Sequence, residues 1–385
     1  MTAVPAGPWG LRLTPGSSAQ YLVDYVTAKG FSRVLVVTGT ASFSWFESEK
    51  LLERLARVAL VRHWQKREPY PEVHDLEHGR RQVDAFGPDL IIGIGGGGVL
   101  DVSKLLAGLS GRPQLRLESL TGAGKPSLVR SASLVLVPTT AGSGAEATHF
   151  AVLYSNGRKY SVASASLLPD LTLLDSALVT GATPRNLAAA GLDALCQCIE
   201  SLWARAATDE SRETAKEGMS LVSLSLEKLV NGDSSLASTL QWGSHLSGHA
   251  INVSRTTAPH ALSYFLTTEF SVPHGIAVAS TLGFFMDYHR SQNLAQLGGG
   301  KKLEEALEAT WKILQISSFG TAKRYFQALF NQLEIGQPHQ YWPSEDEVFG
   351  NWIRSANSER LRNHPVSLHQ GDIERILGFE PRALS

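Results

Sequence analysis

The stretch Asp89-Leu90-Ile91-Ile92-Gly93-Ile94-Gly95-Gly96-Gly97-Gly98-Val99-Leu100-Asp101 decides the fold. Its apolar opening predicts a buried strand, and a helical pattern follows from Leu100 to Leu109, with four consecutive glycines between the two. Arg33-Val34-Leu35-Val36-Val37 is an earlier run of the same kind, running into Thr38-Gly39-Thr40-Ala41-Ser42 and then a helical pattern from about Ser44 to Ala59. Ser133-Leu134-Val135-Leu136-Val137 is a third, followed by Pro138-Thr139-Thr140-Ala141-Gly142-Ser143-Gly144-Ala145-Glu146. Continuous apolar strands alternating with helices predict an α/β domain whose parallel sheet is covered on both faces. Ligands of such sheets bind at the carboxyl ends of the strands, where these small and hydroxylated loops lie. Near Pro184 the pattern changes. Leu187 to Trp203, Ser211 to Leu229 and Leu303 to Ile316 carry helical periodicity, and strand-like runs nearly vanish. The expected organisation is an α/β domain over residues 1–184 and an all-helical domain over 185–385. Gly298-Gly299-Gly300 and Gly336-Gln337-Pro338 read as loops between helices.

The chain has 385 residues, enough for two or three domains at about 150 residues each. Hydrophobic residues make up 43% and charged residues 18%, so a sizeable core is available and global disorder is excluded. Lys and Arg number 35 against 36 Asp and Glu. A chain so close to neutral lacks the broad basic face that nucleic acid or an anionic membrane would favour. Neither a spanning apolar run nor a secretory pattern over Met1 to Gly16 is visible. The two cysteines, Cys196 and Cys198, cannot form a disulfide framework, and their helical context assigns them to packing. A cytoplasmic location is the simplest expectation.

Four glycines after a buried strand cost chain entropy, which a backbone in close approach to a ligand would explain. A tight strand–helix turn without a ligand would use the same residues. The second loop favours a dinucleotide, because two small-residue loops at neighbouring strand ends suit a pyrophosphate and its flanking riboses. The residues expected at the cofactor are Gly39, Thr40 and Ser42, then Gly95, Gly96, Gly97, Gly98 and Asp101, then Thr139, Thr140 and Ser143. Asp101 could also cap the helix. The loop after the first strand has no carboxylate to hold a ribose 2′-hydroxyl or repel a 2′-phosphate, so NADPH is accepted alongside, or in preference to, NADH.

The helical half carries the more specific pattern. In Gly191-Leu192-Asp193-Ala194-Leu195-Cys196-Gln197-Cys198-Ile199-Glu200, Asp193 and Gln197 are four apart and share a helix face. His260 in Pro259-His260-Ala261 and His274 in Pro273-His274-Gly275 lie downstream. Together they offer one carboxylate, one amide oxygen and two imidazoles, a mixed set suited to Fe(II), with Zn(II) as the alternative. Taken singly, each residue also suits an ordinary helix face or core.

In order and spacing these segments resemble the iron-containing, group III metal-dependent alcohol dehydrogenase family. That family carries Gly-Gly-Gly-Ser-x-x-Asp, Pro-Thr-Thr-Ala-Gly-Thr/Ser-Gly-Ser-Glu, Gly-Met-Asp-Ala-x-x-His-x-x-Glu and two histidines fourteen apart, the second in Pro-His-Gly. Here the matching stretches are Gly95 to Asp101, Pro138 to Glu146, Gly191 to Glu200, and His260 with His274. Pro169, Asp175 and Lys159 also fall where the family has them, and Lys159 joins the cofactor residues on that ground. The resemblance implies a dehydroquinate synthase-like architecture, NAD(P)H in the first domain, a metal in the second, and a homodimer.

Three departures bear on function. Gln197 stands where the family has its first metal-binding histidine. Tyr264 replaces a further histidine, four after His260, often placed in proton relay; its phenol suits a relay or packing. The segment before His260, normally small and apolar, reads Asn252-Val253-Ser254-Arg255-Thr256-Thr257-Ala258-Pro259. An arginine forks onto two oxygens of a tetrahedral anion and hydroxyls supply further bonds, so Arg255, Thr256 and Thr257 are the candidate substrate residues. Arg255 and Tyr264 are the candidate catalytic residues. The chain most resembles phosphonoacetaldehyde reductases, which make 2-hydroxyethylphosphonate in phosphonate natural-product biosynthesis. The alternatives are a family member acting on another small aldehyde and a non-catalytic nucleotide-binding relative.

Overall fold

The computed structural model describes residues 9–45, 48–68, 70–121, 127–155, 158–291 and 300–378. The chain divides into two compact units, Met1–Ala182 and Thr183–Ser385.

The first unit contains strands β1 (Leu11–Arg12), β2 (Arg33–Gly39), β3 (Leu60–Lys66), β4 (Leu90–Gly95), β5 (Ser133–Pro138), β6 (Phe150–Ser155), β7 (Arg158–Ala163) and β8 (Leu171–Leu174). Six of them form one sheet in the order β1-β8-β5-β4-β2-β3, all neighbours parallel. β6 and β7 form a separate antiparallel pair. Helices α1 (Ser18–Lys29), α2 (Thr40–Trp45), α3 (Ser48–Leu55), α4 (Val73–Phe86) and α5 (Gly97–Leu109) complete the unit. Period-2 alternation sends successive strand residues to opposite faces. Leu35, Val37, Ile91, Leu134 and Leu136 therefore enter one core with α4 and α5, while Val34, Val36, Ile92, Val135 and Val137 enter another with α1 and α3. Sheets buried on both faces need such uninterrupted apolar strands.

The helix expected over Ser44 to Ala59 is instead two. α3 ends at Leu55, and a turn through Ala56–Val58 brings Leu60 N–H onto Ser32 O at 2.8 Å, the first rung of β3 beside β2. Residues 46–47 lie outside the described residues. α5 begins at Gly97, three residues before its expected start, with Gly96 as its N-cap.

The second unit is helical: α6 (Pro184–Trp203), α7 (Asp209–Val230), α8 (Ala237–Ser254), α9 (Ala258–Phe270), α10 (His274–Ser291), α11 (Gly300–Ile313), α12 (Ala322–Gln332), α13 (Asp346–Arg354), α14 (Ser358–Arg362) and α15 (Gln370–Leu377). Thr183 caps α6 by accepting from Asn186 N–H at 3.3 Å, with Pro184 at the first helical position where its missing N–H costs nothing. Of the glycine loop expected at 298–300, residues 298–299 lie outside the described residues and Gly300 opens α11. Among the described residues no helix is long and apolar enough to cross a membrane.

Candidate metal centre and nucleotide loops

In the helical unit, one ligand atom each from Asp193, His260 and His274 lies within 4.8 Å of the others. Among the described residues no other group of three or more carboxylate, imidazole or thiol donors converges in this way. The three sit on α6, α9 and at the first residue of α10. The close approach of α10 to α6 depends on Gly275: a Cβ there would stand 1.9 Å from Ala189 O and 2.6 Å from Asp193 N. No side chain fits that gap, so the glycine of Pro-His-Gly lets His274 reach Asp193.

His260 is held from behind. Its Nδ1 faces Glu200 Oε2 in a short hydrogen bond, and its Nε2 lies 3.3 Å from Asp193 Oδ1. The other carboxylate oxygen of Glu200 accepts from Thr257 N–H at 2.9 Å and from Thr257 Oγ1 at 2.6 Å. Trp203 Nε1 donates to the same Thr257 oxygen at 3.0 Å. Glu200 is fully buried. A carboxylate on one imidazole nitrogen fixes the tautomer and presents the other nitrogen to a cation. Burial alone would lower the His260 pKa, but Glu200 and Asp193 together push it up to about 9. Two carboxylates and two imidazoles in an apolar interior favour positive charge at their centre, so this donor set fits a divalent first-row cation.

Gln197 is one turn beyond Asp193 and buried, with Oε1 accepting from Ser247 Oγ at 2.8 Å. That bond holds the amide on α6, one helical turn from Asp193. Cys196 and Cys198 are fully buried free thiols whose pKa values burial pushes up.

The segment before His260 has an unusual backbone. Arg255 ends α8 with φ 59° and ψ −178°, a region populated almost entirely by glycine. Asn363 clamps it from far along the chain, its Nδ2 donating to Ser254 O at 2.8 Å and to Thr256 O at 3.0 Å. Of the expected substrate residues, Thr256 is buried at this turn, but the Thr257 hydroxyl is already engaged by Glu200 and Trp203. Here the Thr257 hydroxyl braces Glu200 behind His260. Tyr264 stacks on the His274 ring, with centroids 6.0 Å apart and planes at 17°. Its hydroxyl is hydrogen-bonded to Arg360, a nearly buried guanidinium. Burial opposes the Arg360 charge, yet Tyr264, Glu359 and Glu200 hold its pKa above the ordinary value. Arg255 is pushed down to about 10, by burial first and by Arg360 second.

Behind this turn His289 and His364 face each other, Nε2 to Nε2 at 2.9 Å, and Trp203 meets both rings edge-on. Burial holds His289 near pKa 3 and His364 well below its ordinary value, so both stay neutral.

Sequence reasoning gave no role to Glu200, Arg360, Asn363 or His364. Glu200 stood in the quoted family pattern. The other three lie in a region without a recognisable motif, and only tertiary contact reveals them.

In the first unit the glycine run joins β4 to α5. A Cβ on Gly95 would fall 2.7 Å from Val99 Cβ, and one on Gly97 2.8 Å from Ser143 Oγ. Close packing of strand, helix and the second loop thus accounts for part of the run, and it brings Ser143 to the start of α5. Thr139 N–H donates to Gly95 O at 3.0 Å, Thr140 lies against Gly96, and Gly98 is in the first turn of α5. Gly39 ends β2 and Thr40 starts α2. The Ser42 hydroxyl binds Gly39 N–H at 2.8 Å and Ile94 O at 2.9 Å, so it ties two strand ends together. Asp101 does not cap the helix. It is buried in α5, where Oδ2 accepts from Val152 N–H at 3.0 Å and Oδ1 lies 3.4 Å from Lys104 Nζ. Its carboxylate joins α5 to β6. Burial raises its pKa against the pull of Lys104, Val152 N–H and Lys159, which lies on β7.

The iron-containing alcohol dehydrogenase model matches residues 13–176, and the C-terminal model of the Fe-containing alcohol dehydrogenase family matches residues 187–378. A phosphonoacetaldehyde reductase of Streptomyces viridochromogenes is 36% identical over 223 residues, spanning 55% of this chain and 56% of that protein. A sulfoacetaldehyde reductase of Bilophila wadsworthia is 31% identical over 229 residues, 58% of each. Each alignment thus spans little more than half of the relative's length. The crystal structure of a sulfoacetaldehyde reductase from Bifidobacterium kashiwanohense in complex with NAD+ superposes with a TM-score of 0.83 at 21% identity, over 98% of both chains. The chain belongs to the iron-containing alcohol dehydrogenase family.

Proposed function

We propose that this chain is a metal-dependent, NAD(P)H-linked reductase of a small anionic aldehyde, with phosphonoacetaldehyde as substrate and 2-hydroxyethylphosphonate as product. The observation that carries the reading is the convergence of Asp193, His260 and His274, with Glu200 fixing the His260 tautomer. When bound, a divalent cation supplies Lewis acidity for a carbonyl oxygen and the reduced nicotinamide supplies hydride.

The remaining work falls to the chain itself. Asp193, His260 and His274 hold the cation, Fe(II) or Zn(II), with the Gln197 amide beside them. The turn at Arg255 sets a guanidinium for the anionic tail, and Thr256 stands next to it. Arg360 donates into the phenol oxygen of Tyr264, which directs the phenolic proton away from that cation and toward the substrate oxygen. In the first unit, the N–H groups of Gly97 and Gly98 at the start of α5 receive the pyrophosphate, with Thr139, Thr140 and Ser143 as flanking donors. The lack of a carboxylate among Thr38–Ser42 supports acceptance of NADPH.

The relatives named for phosphonoacetaldehyde and sulfoacetaldehyde support a small anionic aldehyde as substrate. The test is a screen of anionic and neutral aldehydes with both cofactors, adding Fe(II) and Zn(II) separately. Oxidation of NADPH that depends on phosphonoacetaldehyde and on added metal is the expected result. No aldehyde-dependent oxidation under any condition rejects the reading, and a strong preference for NADH rejects the cofactor assignment.

A further inference from the structure

Trp203, whose indole N–H supports Thr257, also forms part of the wall of a small cavity of about 190 Å³. Arg205, Arg212, Lys302 and Pro365 share that wall, and none of the metal donors does. The three cations come from the turn after α6, the start of α7 and the start of α11. Arg205 Nε donates to His364 O at 2.6 Å and Nη2 to Ser367 Oγ at 3.3 Å. Arg212 Nε donates to Leu202 O at 3.0 Å. Arg212 Nη1 and Lys302 Nζ lie 3.2 and 3.9 Å from the same carboxylate oxygen, Asp209 Oδ1. That shared oxygen brings the second and third cations to one place, and the cavity joins them to the first. Among the described residues Arg205 has carbonyl and hydroxyl partners but no carboxylate. Asp209 is thus the single counter-charge for three cations, and its side chain is 91% exposed, where an ion pair is worth little. Arg205 Nη1 and Arg212 Nη2 have no hydrogen bond within the described residues, so both guanidiniums keep donors to spare.

We infer that Arg205, Arg212 and Lys302 form an anion site apart from the metal centre, which takes a tetrahedral dianion of the phosphate type, free or as the head of a small phosphomonoester. Two negative charges match the excess left after Asp209, and guanidiniums and an ammonium are the donors that phosphate oxygens favour. The volume equals about six times the roughly 30 Å³ share of a liquid water and lies below the roughly 300 Å³ at which drug-sized sites begin, so a small ion fits and a nucleotide does not. The site is tied to the reaction centre by its own wall. Arg205 N–H donates to Asn363 O at 2.9 Å, and Asn363 clamps the Arg255 turn. An ion that steadies Arg205 steadies that clamp. The inference does not depend on the reductase reading.

The test is calorimetric titration of the full chain, at low ionic strength in a chloride buffer, with inorganic phosphate and with glycerol 3-phosphate. Wild type should bind at least one of them with a Kd of about 1 mM or tighter. Tighter binding of inorganic phosphate identifies the free ion as occupant, and equal or tighter binding of glycerol 3-phosphate identifies the phosphomonoester head; both support the site. Lys302→Glu reverses a charge on a side chain that is 69% exposed, so the fold has no reason to change. It should weaken binding at least about tenfold, or about 1.4 kcal/mol, and Lys302→Arg should restore it. Phosphate should also raise the Tm of wild type and leave that of Lys302→Glu nearly unmoved. Binding of both anions weaker than about 1 mM in wild type overturns the inference. So does undiminished binding in Lys302→Glu, which would put the ion at another cation such as Arg255. Absence of aldehyde turnover would reject the reductase reading and leave these titrations intact.

Discussion

Replacing Glu200 by Gln keeps the shape of the side chain and removes only its charge and half of its acceptor capacity. In the wild type one oxygen accepts from His260 Nδ1 and the other from two donors on Thr257. An amide cannot serve both sides. If its oxygen stays with Thr257, its NH2 faces His260 Nδ1 and forces the proton onto Nε2, the nitrogen that must carry a lone pair for a cation. If the amide flips, His260 keeps its tautomer, but the NH2 meets the Thr257 N–H, leaving a buried donor unsatisfied at a cost of about 1–3 kcal/mol. Loss of a carboxylate behind a ligating histidine weakens metal affinity by roughly 10- to 100-fold, or about 1.4–2.7 kcal/mol. The assay is chelator competition for Zn(II) and Fe(II) on wild type and Glu200→Gln, with a thermal melt of each metal-free protein. Weaker binding with at most a modest loss of Tm is expected. Unchanged affinity for both metals in a folded variant would refute the role assigned to Glu200.

Arg255→Ala should lower kcat/KM for phosphonoacetaldehyde by roughly 30-fold or more, the consequence of removing one partner of a buried charge pair, and should affect a neutral aldehyde of similar size far less; equal effects on both would remove Arg255 from anion binding. Gly275→Ala inserts a methyl group where 1.9 Å separates the ideal Cβ from Ala189 O, so α10 must shift away from α6; metal affinity measured by chelator competition should collapse with His274 displaced. Asn363→Ala leaves the Ser254 and Thr256 carbonyls without their shared donor and should cost about 1–3 kcal/mol, read as a lower midpoint in urea unfolding. His289 titrates near 3 when folded and near 6.5 when unfolded, so its stabilising effect is complete above pH 6.5 and is lost as pH falls toward 3. By pH 5 the loss is about 2 kcal/mol, and His289→Gln should show a smaller drop in Tm between pH 7 and pH 5 than wild type.

The strands most legible in the sequence are those buried on both faces. β2, β4 and β5 are central, and their uninterrupted valine, leucine and isoleucine runs have no other use. β3 lies at the sheet edge with sequence Leu-Val-Arg-His-Trp-Gln-Lys, so its solvated side hides it, and β1 and β8 are too short for a pattern to develop. The glycine run was legible as a strand–helix junction, but its individual roles depend on which side chains crowd it, such as Val99 and Ser143. The donors Asp193, His260 and His274 were legible through motif order, because no local periodicity joins residues on three different helices. Arg360 and Asn363 were not legible at all. Asn363 reaches Ser254 across 109 residues, and short polar side chains on a short helix carry no mark of such a partner.

The contact of α6 with α10 through Gly275 has a thermodynamic consequence. Two of the three donor-bearing helices touch backbone to backbone, and the third is anchored by a fully buried glutamate, so the donors are gathered by chain folding itself. Ion uptake then orders little polypeptide. It should release protons and heat with only a small change in heat capacity, and stripping the ion should silence the protein while leaving its helices assembled for reloading.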